Sequence, residues 1–361
     1  MSHRIWNFNP GPATLPLPVL EKTQQELLDY NQTGMSIMEL SHRANDYKTI
    51  QTDTKLLIKE LLNIPDHYQI LFLQGGASLQ FVMVPMNLLN KNESADYVLT
   101  GVWSQKAIQE AAHFGNTRIA GSSERLRFIS IPTLKELELD KSAKYVHITS
   151  NNTIYGTQWS SFPETGNIPL VADMSSDIFS RNIDVKSFGL IYAGAQKNMG
   201  IAGITVVIVR DDLLEQCRKD IPVFMRYTTH AEKDSLYNTP ATFSVYITKL
   251  VLEWIKNQGG LKAIEKSNSE KAELLYQFID TRSEFYRGTV AKNSRSMMNV
   301  TLKLPSEELE SRFVKQSIAA GFSGLKGHRS VGGIRVSLYN AMPLAGVKAL
   351  IDFMSDFLSK V

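Results

Sequence analysis

Along this chain the apolar positions keep two alternating rhythms. Short runs rich in β-branched and aromatic residues read as strands: "YQILFLQ" (68–74), "DYVLTG" (96–101), "KYVHITS" (144–150), "PLVADMS" (169–175), "FGLIYAGA" (188–195) and "GITVVIV" (203–209). Early in this series come helical patterns, "SLQFVMVPMNLL" (78–89) and "SQKAIQEAAHFG" (104–115). Alternation of this kind predicts an α/β unit with a mostly parallel sheet and helices on both faces. Upstream, "VLEKTQQELLDYN" (19–31) and "YKTIQTDTKLLIKELLN" (47–63) read as helices, the second with Ile50, Leu57, Ile58 and Leu61 on one face. Before them lies an arm rich in Pro and Gly.

The rhythm changes after a long helix, "YITKLVLEWIKNQ" (246–258), which runs into Gly259-Gly260. Helical "AIEKSNSEKAELLYQFID", strand-like "SMMNVTLKL", helical "SRFVKQSIAA", strand-like "GIRVSLYN" and helical "AGVKALIDFMSDFLSK" follow. This predicts a small α+β domain from about residue 261. The expected division is a large domain over 16–260 and a small one built from 1–15 and 261–361. In the last helix Val347, Leu350, Ile351, Met354, Phe357 and Leu358 form one apolar stripe, which belongs to a core.

Bulk properties narrow the function classes. The chain has 361 residues, 39 basic and 36 acidic, for a net charge of +3. That balance suits small anionic substrates, and without a Lys/Arg block it gives no ground for nucleic acid. The longest apolar run is far too short to span a membrane. The N-terminus has no apolar signal core. One cysteine, Cys217, allows no internal disulfide and fits a reducing, cytoplasmic compartment. No metal site is expected.

The candidate chemistry sits at strand ends. Lys197 lies in a turn of small residues between two apolar runs. Asp173 closes the run "IPLVAD". Such a pair is either an ion pair or the two contacts that pyridoxal phosphate requires, an amine for its aldehyde and a carboxylate for its ring nitrogen. Gly75-Gly76, then Ala77 and Ser78 opening a helix, could cradle a phosphate on backbone N–H groups, although an ordinary tight turn explains them about as well. Trp103, where another strand meets a helix, is a core residue or a flat partner for a ring. Taken alone, Arg335 could be an edge charge, His328 and Arg329 solvated loop residues, Arg43 an ordinary helix-start charge and Thr153 a turn residue. Four candidates on successive strand ends, on one side of the sheet, favour the cofactor reading.

"NFNPGPA", "SHR" (41–43), "QGGAS", "VPMNLL", "GVWS", "SNNTIYGTQW", "ADMSSDIFSR", "YAGAQKNMGIAG", "YNTPATFSVY", "KGHRSVGG" and "RVSLYNAMPLAGVKAL" together resemble the phosphoserine aminotransferase family. The resemblance runs from about residue 7 to the C-terminus. It implies the class-V, fold-type I, aspartate-aminotransferase-like α/β fold, with a mostly parallel seven-stranded sheet in the large domain. It implies pyridoxal 5'-phosphate as cofactor, and a homodimer with shared active sites. It implies reversible ping-pong transamination of 3-phosphohydroxypyruvate with L-glutamate, and in many members of 4-phosphohydroxythreonine as well. By the same resemblance Lys197 binds the cofactor covalently, Asp173 holds its ring nitrogen and Trp103 stacks on the ring. Ala77, Ser78 and Gln196 hold its phosphate, Thr153 offers a hydroxyl, and Asn238 and Thr239 reach the phosphate from the partner subunit. Arg335 takes the substrate α-carboxylate, and His42, Arg43, His328 and Arg329 form the pocket for the distal anion. One departure stands out: Ser78 occupies a place where some members carry arginine. A competing lyase of the same fold would need a catalytic cysteine on a mobile loop, whereas Cys217 lies in a helical pattern. A non-enzymatic binding module explains the charge but not the Lys197, Asp173 and Trp103 set.

Overall fold

The structure, a computed structural model, describes residues 4–361. Seven strands make the central sheet: β1 (Tyr68–Leu73), β2 (Ser94–Leu99), β3 (Asn116–Ser122), β4 (Val146–Thr149), β5 (Leu170–Asp173), β6 (Leu190–Gly194) and β7 (Thr205–Arg210). Their order across the sheet is β1-β7-β6-β5-β4-β2-β3. β7 is antiparallel to both its neighbours, and the other pairings are parallel. Six strands therefore present their carboxyl ends along one edge, where an open α/β sheet builds its site.

Alternation along each strand separates two cores. Ile70, Phe72, Ile191, Ala193, Val206 and Ile208 pack on one face, and Leu71, Leu73, Leu190, Tyr192, Val207 and Val209 on the other. Strands buried on both sides explain the unbroken apolar runs. The second face is covered by α3 (Gly76–Leu88) and α4 (Val102–Ala111). The first is covered by α1 (Leu17–Glu26), α2 (Asn45–Leu61) and α5 (Thr242–Asn257). Gly259, at φ 101°, makes the reversal from α5 into α6 (Gly260–Asp280), a backbone conformation that glycine adopts without strain.

A third core gathers Phe8, Leu275, Phe313, Val336 and Phe357, among others. Around it stand a three-stranded antiparallel sheet, β8 (Arg287–Gly288), β9 (Asn299–Lys303) and β10 (Ile334–Ser337), and the helices α6, α7 (Glu307–Ala319) and α8 (Leu344–Ser359). The N-terminal arm joins this unit, with Trp6–Asn7 pairing in parallel with Phe322–Ser323.

One strand of the main sheet goes unannounced by the sequence pattern. β3, "NTRIAGS", is an edge strand with mostly exposed or half-buried side chains, so it carries no apolar run.

Candidate active site

Lys197 lies in the connection between β6 and β7, folded tightly by the Met199 N–H donating to the Ala195 carbonyl at 3.3 Å. Its Nζ donates to Thr153 Oγ1 at 2.9 Å. Burial pushes its ammonium down to about 8, against the opposing pull of the Asp173 charge. The N-terminal arm supplies the opposite wall. Gly11, at φ 134°, adopts a backbone conformation that favours glycine, and a Cβ there would crowd Lys197 Cγ at 3.1 Å.

Asp173 ends β5, one strand over. The Ser175 N–H donates to its Oδ1 at 2.9 Å. Burial nevertheless raises its pKa, outweighing Ser175 and the Lys197 charge. A buried carboxylate in this position is relieved by a cationic partner.

At the end of β1 the chain turns through Gly75 and Gly76, with φ 90° and 65°, into α3. No side chain caps that helix. The first intrahelical bond is made by Leu79 N–H to the Gly75 carbonyl, so the N–H groups of Gly76, Ala77 and Ser78 have no acceptor among the described residues. Three free N–H groups at the positive end of a helix dipole form an anion cradle.

These pieces line one cavity of about 280 Å3, together with Trp103, Thr153, Gln196, His328 and Arg335. Arg335, on β10 of the small sheet, donates weakly to the Thr153 carbonyl at 3.4 Å. Its Nε is buried without a partner, as is Trp103 Nε1. Burial also lowers the pKa of Arg335. A desolvated guanidinium with an unused donor is poised for a carboxylate. Among the described residues, Asp173 is the one acidic residue lining the cavity.

The remaining candidates lie elsewhere. His42, Arg43, Asn238 and Thr239 line a separate cavity of about 450 Å3 with Lys48. Asn238 Nδ2 donates to Gln74 Oε1 at 2.9 Å, beside the glycine turn, but lines no part of the Lys197 cavity. Arg329 is exposed on the loop next to His328 and lines neither cavity. A single chain therefore does not bring His42 and Arg43 together with His328 and Arg329. Cys217 is buried outside the site, its thiol pushed up to about 12 by burial. That removes the cysteine-dependent lyase reading.

Sequence reasoning missed several walls of the cavity. Gly11 is brought there by the long-range folding of the arm, which no local pattern reports. Thr149, whose hydroxyl is buried and unpartnered, and Ser175 sit at or just past strand ends, a position that could have flagged them.

The profile described as "Aminotransferase class-V" matches residues 5–350. The chain belongs to the class-V aminotransferases. Among relatives of this family, the phosphoserine aminotransferase of Lysinibacillus sphaericus (strain C3-41) is 54% identical over 360 residues, covering 100% of this chain and 99% of that one. A solved phosphoserine aminotransferase from Bacillus circulans subsp. alkalophilus superposes with a TM-score of 0.98 at 51% identity, over 99% of both chains. That of Trichomonas vaginalis, solved with PLP bound, gives 0.93 at 35% identity, over 98% of this chain and 100% of that one. Within class V this chain falls among the phosphoserine aminotransferases, and its fold is of the aspartate-aminotransferase type. The residues present fit pyridoxal phosphate: a half-buried amine with lowered pKa, a buried carboxylate short of a cation, and a free N–H cradle share one cavity. Among the described residues, no helix is long and apolar enough to cross a membrane.

Proposed function

We propose that this chain catalyses reversible transamination between L-glutamate and 3-phosphohydroxypyruvate, giving 2-oxoglutarate and O-phospho-L-serine. One observation carries the reading. The half-buried Lys197 and the buried Asp173 share a cavity that has a cradle of free N–H groups in one wall and, in another, an arginine whose buried Nε has no partner. Bound through Lys197, pyridoxal phosphate supplies an electron sink for the electrons released at the substrate's α-carbon.

The chain's residues then divide the work. Lys197, whose burial favours the neutral amine, moves the proton off the α-carbon as general base. Asp173 holds a proton at the cofactor's ring nitrogen. Trp103, in the cavity wall, would be the flat partner of the ring, and Thr153 keeps a hydroxyl within reach of Lys197. Ala77 and Ser78 hold the cofactor phosphate with backbone N–H groups, helped by Gln196. Arg335 grips the α-carboxylate as a fork. His328 and Arg329 take the substrate's distal anion, either the phosphate or the side-chain carboxylate of glutamate.

The reading includes a homodimer. His42 and Arg43 complete the distal-anion pocket of the partner subunit, and Asn238 and Thr239 reach its cofactor phosphate. Among the described residues, their own cavity is lined by three basic side chains and no carboxylate, which supports this role. The reading also includes two domains, 16–260 and 1–15 with 261–361, supported by the separate third core that Phe8 joins. Cytoplasmic residence follows the same line, supported by a single buried thiol.

The test is visible absorption of the purified holoenzyme with one amino acid added at a time. Loss of the bound cofactor's visible band on adding L-phosphoserine, and separately L-glutamate, is the expected result. A band bleached by another amino acid but unmoved by phosphoserine keeps the lysine and discards the substrate. Absence of any band after cofactor is supplied discards both.

A further inference from the structure

Next to Trp103, a wall of the Lys197 cavity, stands one positive group that the reading above leaves unused. Lys106 stands one turn after Trp103 on α4, so the two share a helix face. Its Nζ lies 5.0 Å from the centroid of the Trp103 ring, which itself lines the cavity. No carboxylate among the described residues pairs with Lys106, with Arg329 or with Arg335, although fifteen such contacts occur elsewhere in the chain. The first turn of α3, Gly76, Ala77 and Ser78, offers N–H groups but no side-chain cation.

We propose that Lys106 is a specificity-determining residue: its ammonium joins His328 and Arg329 around the substrate's distal phosphate and favours a phosphate over a carboxylate there. The proposal deepens the transamination reading and rests on it. His328 reports the cluster. Its pKa is lowered first by partial burial and then by the charges of Arg335, Arg329 and Lys106, so all three cations are felt at one ring on the cavity wall. Neighbouring cations with no anion among them repel one another, and a bound dianion relieves that repulsion. A phosphate carries up to two charges and three acceptor oxygens, where a carboxylate carries one charge and two oxygens. A third cation therefore gains more from the phosphate. The Trp103 ring fixes Lys106 by a cation–π contact and spares some of the entropy of ordering a long side chain.

The probes are unreactive, so binding is read without turnover. Calorimetry on the holoenzyme compares 3-phosphoglycerate with glutarate, a dicarboxylate. Lys106→Met keeps an unbranched side chain of similar length and removes the charge. The expected result is roughly tenfold weaker binding of 3-phosphoglycerate, as for loss of one charge-assisted contact, with glutarate changed less than about twofold. Lys106→Arg should restore most of the phosphate affinity. Single-turnover bleaching should show the same split between L-phosphoserine and L-glutamate. Equal weakening of both probes, or of neither, overturns the proposal. The wild-type control separates the two claims: an enzyme that binds 3-phosphoglycerate no better than glutarate, and is not bleached by phosphoserine, fails the transamination reading itself.

Discussion

Two basic cavities of this chain differ in how they are finished. The Lys197 cavity is built inward. Its carboxylate and arginine are buried and its lysine half-buried, their charges are destabilised by desolvation, and its walls come from strand ends, the arm and the small sheet. The cavity around His42, Arg43, Asn238 and Thr239 is built outward. Arg43 and Thr239 are exposed, and His42 and Asn238 half-buried. Buried charge without a partner costs several kcal/mol per ion, so the first cavity is tuned for chemistry within itself. The second incurs no such cost and suits a surface that meets a partner. On the proposed reading, one chain makes the reacting centre and presents the remaining anion-binding groups to its partner.

The largest effect is expected at the centre of the first cavity. Lys197→Ala should reduce turnover by at least about 10³-fold, as loss of a general base does, while thermal melting shows a folded protein. Full turnover in that variant would remove the lysine from the mechanism. Asp173→Asn should cost about 10²–10³-fold, the usual size for a pre-organised charge. The cofactor should remain bound, as its visible band would show. Arg335→Ala should raise KM for both amino donors by roughly 10–100-fold, since each lost charge-assisted contact is worth about 1.5–3 kcal/mol. A loss confined to one donor would place the α-carboxylate elsewhere.

How much of this was legible beforehand follows from where each signal lives. β5, β6 and β7 are buried on both faces, so their sequences are apolar throughout and their ends mark Asp173 and Lys197 directly. β3 is a solvated edge and left no such mark. Trp103 and the Gly75-Gly76 turn were legible because strand, turn and helix follow one another within a few residues. Gly11 was not, because its contact with Lys197 spans almost 190 residues of sequence and depends on the arm pairing with Phe322–Ser323. The family resemblance supplied roles for His42 and Arg43, but the chain's own geometry separates them from His328. No pattern within one sequence states which subunit a side chain serves.

Smaller effects sharpen the comparison. Arg43→Ala should weaken both half-reactions by about tenfold, as one solvated cation at an anion site contributes. A larger loss than Arg335→Ala would reverse the ranking of the two cavities. The desolvated Lys197 also leaves a pH signature in the cofactor-free protein. Its folded pKa, about 8, lies below that of an unfolded lysine. The unfolded state therefore binds more protons between the two values, and stability should rise as pH increases from about 8 toward 10. Lys271, buried and pushed down to about 7, adds to the same trend from lower pH. The difference in denaturation midpoint between wild type and Lys197→Met isolates the Lys197 share. A midpoint difference that stays constant across this range would contradict its depressed pKa.

The most direct test of the central claim, that a working site draws on both cavities from two different chains, is complementation. Lys197→Ala and Arg43→Ala proteins are unfolded, mixed in equal amounts and refolded together with cofactor. If Arg43 serves the partner's Lys197 cavity, each mixed dimer holds one intact site, and random pairing should restore about one-quarter of wild-type turnover beyond what the parent proteins show. If Arg43 serves its own chain, every site in the mixture carries a lesion. Turnover that stays at the average of the two parents would contradict the account.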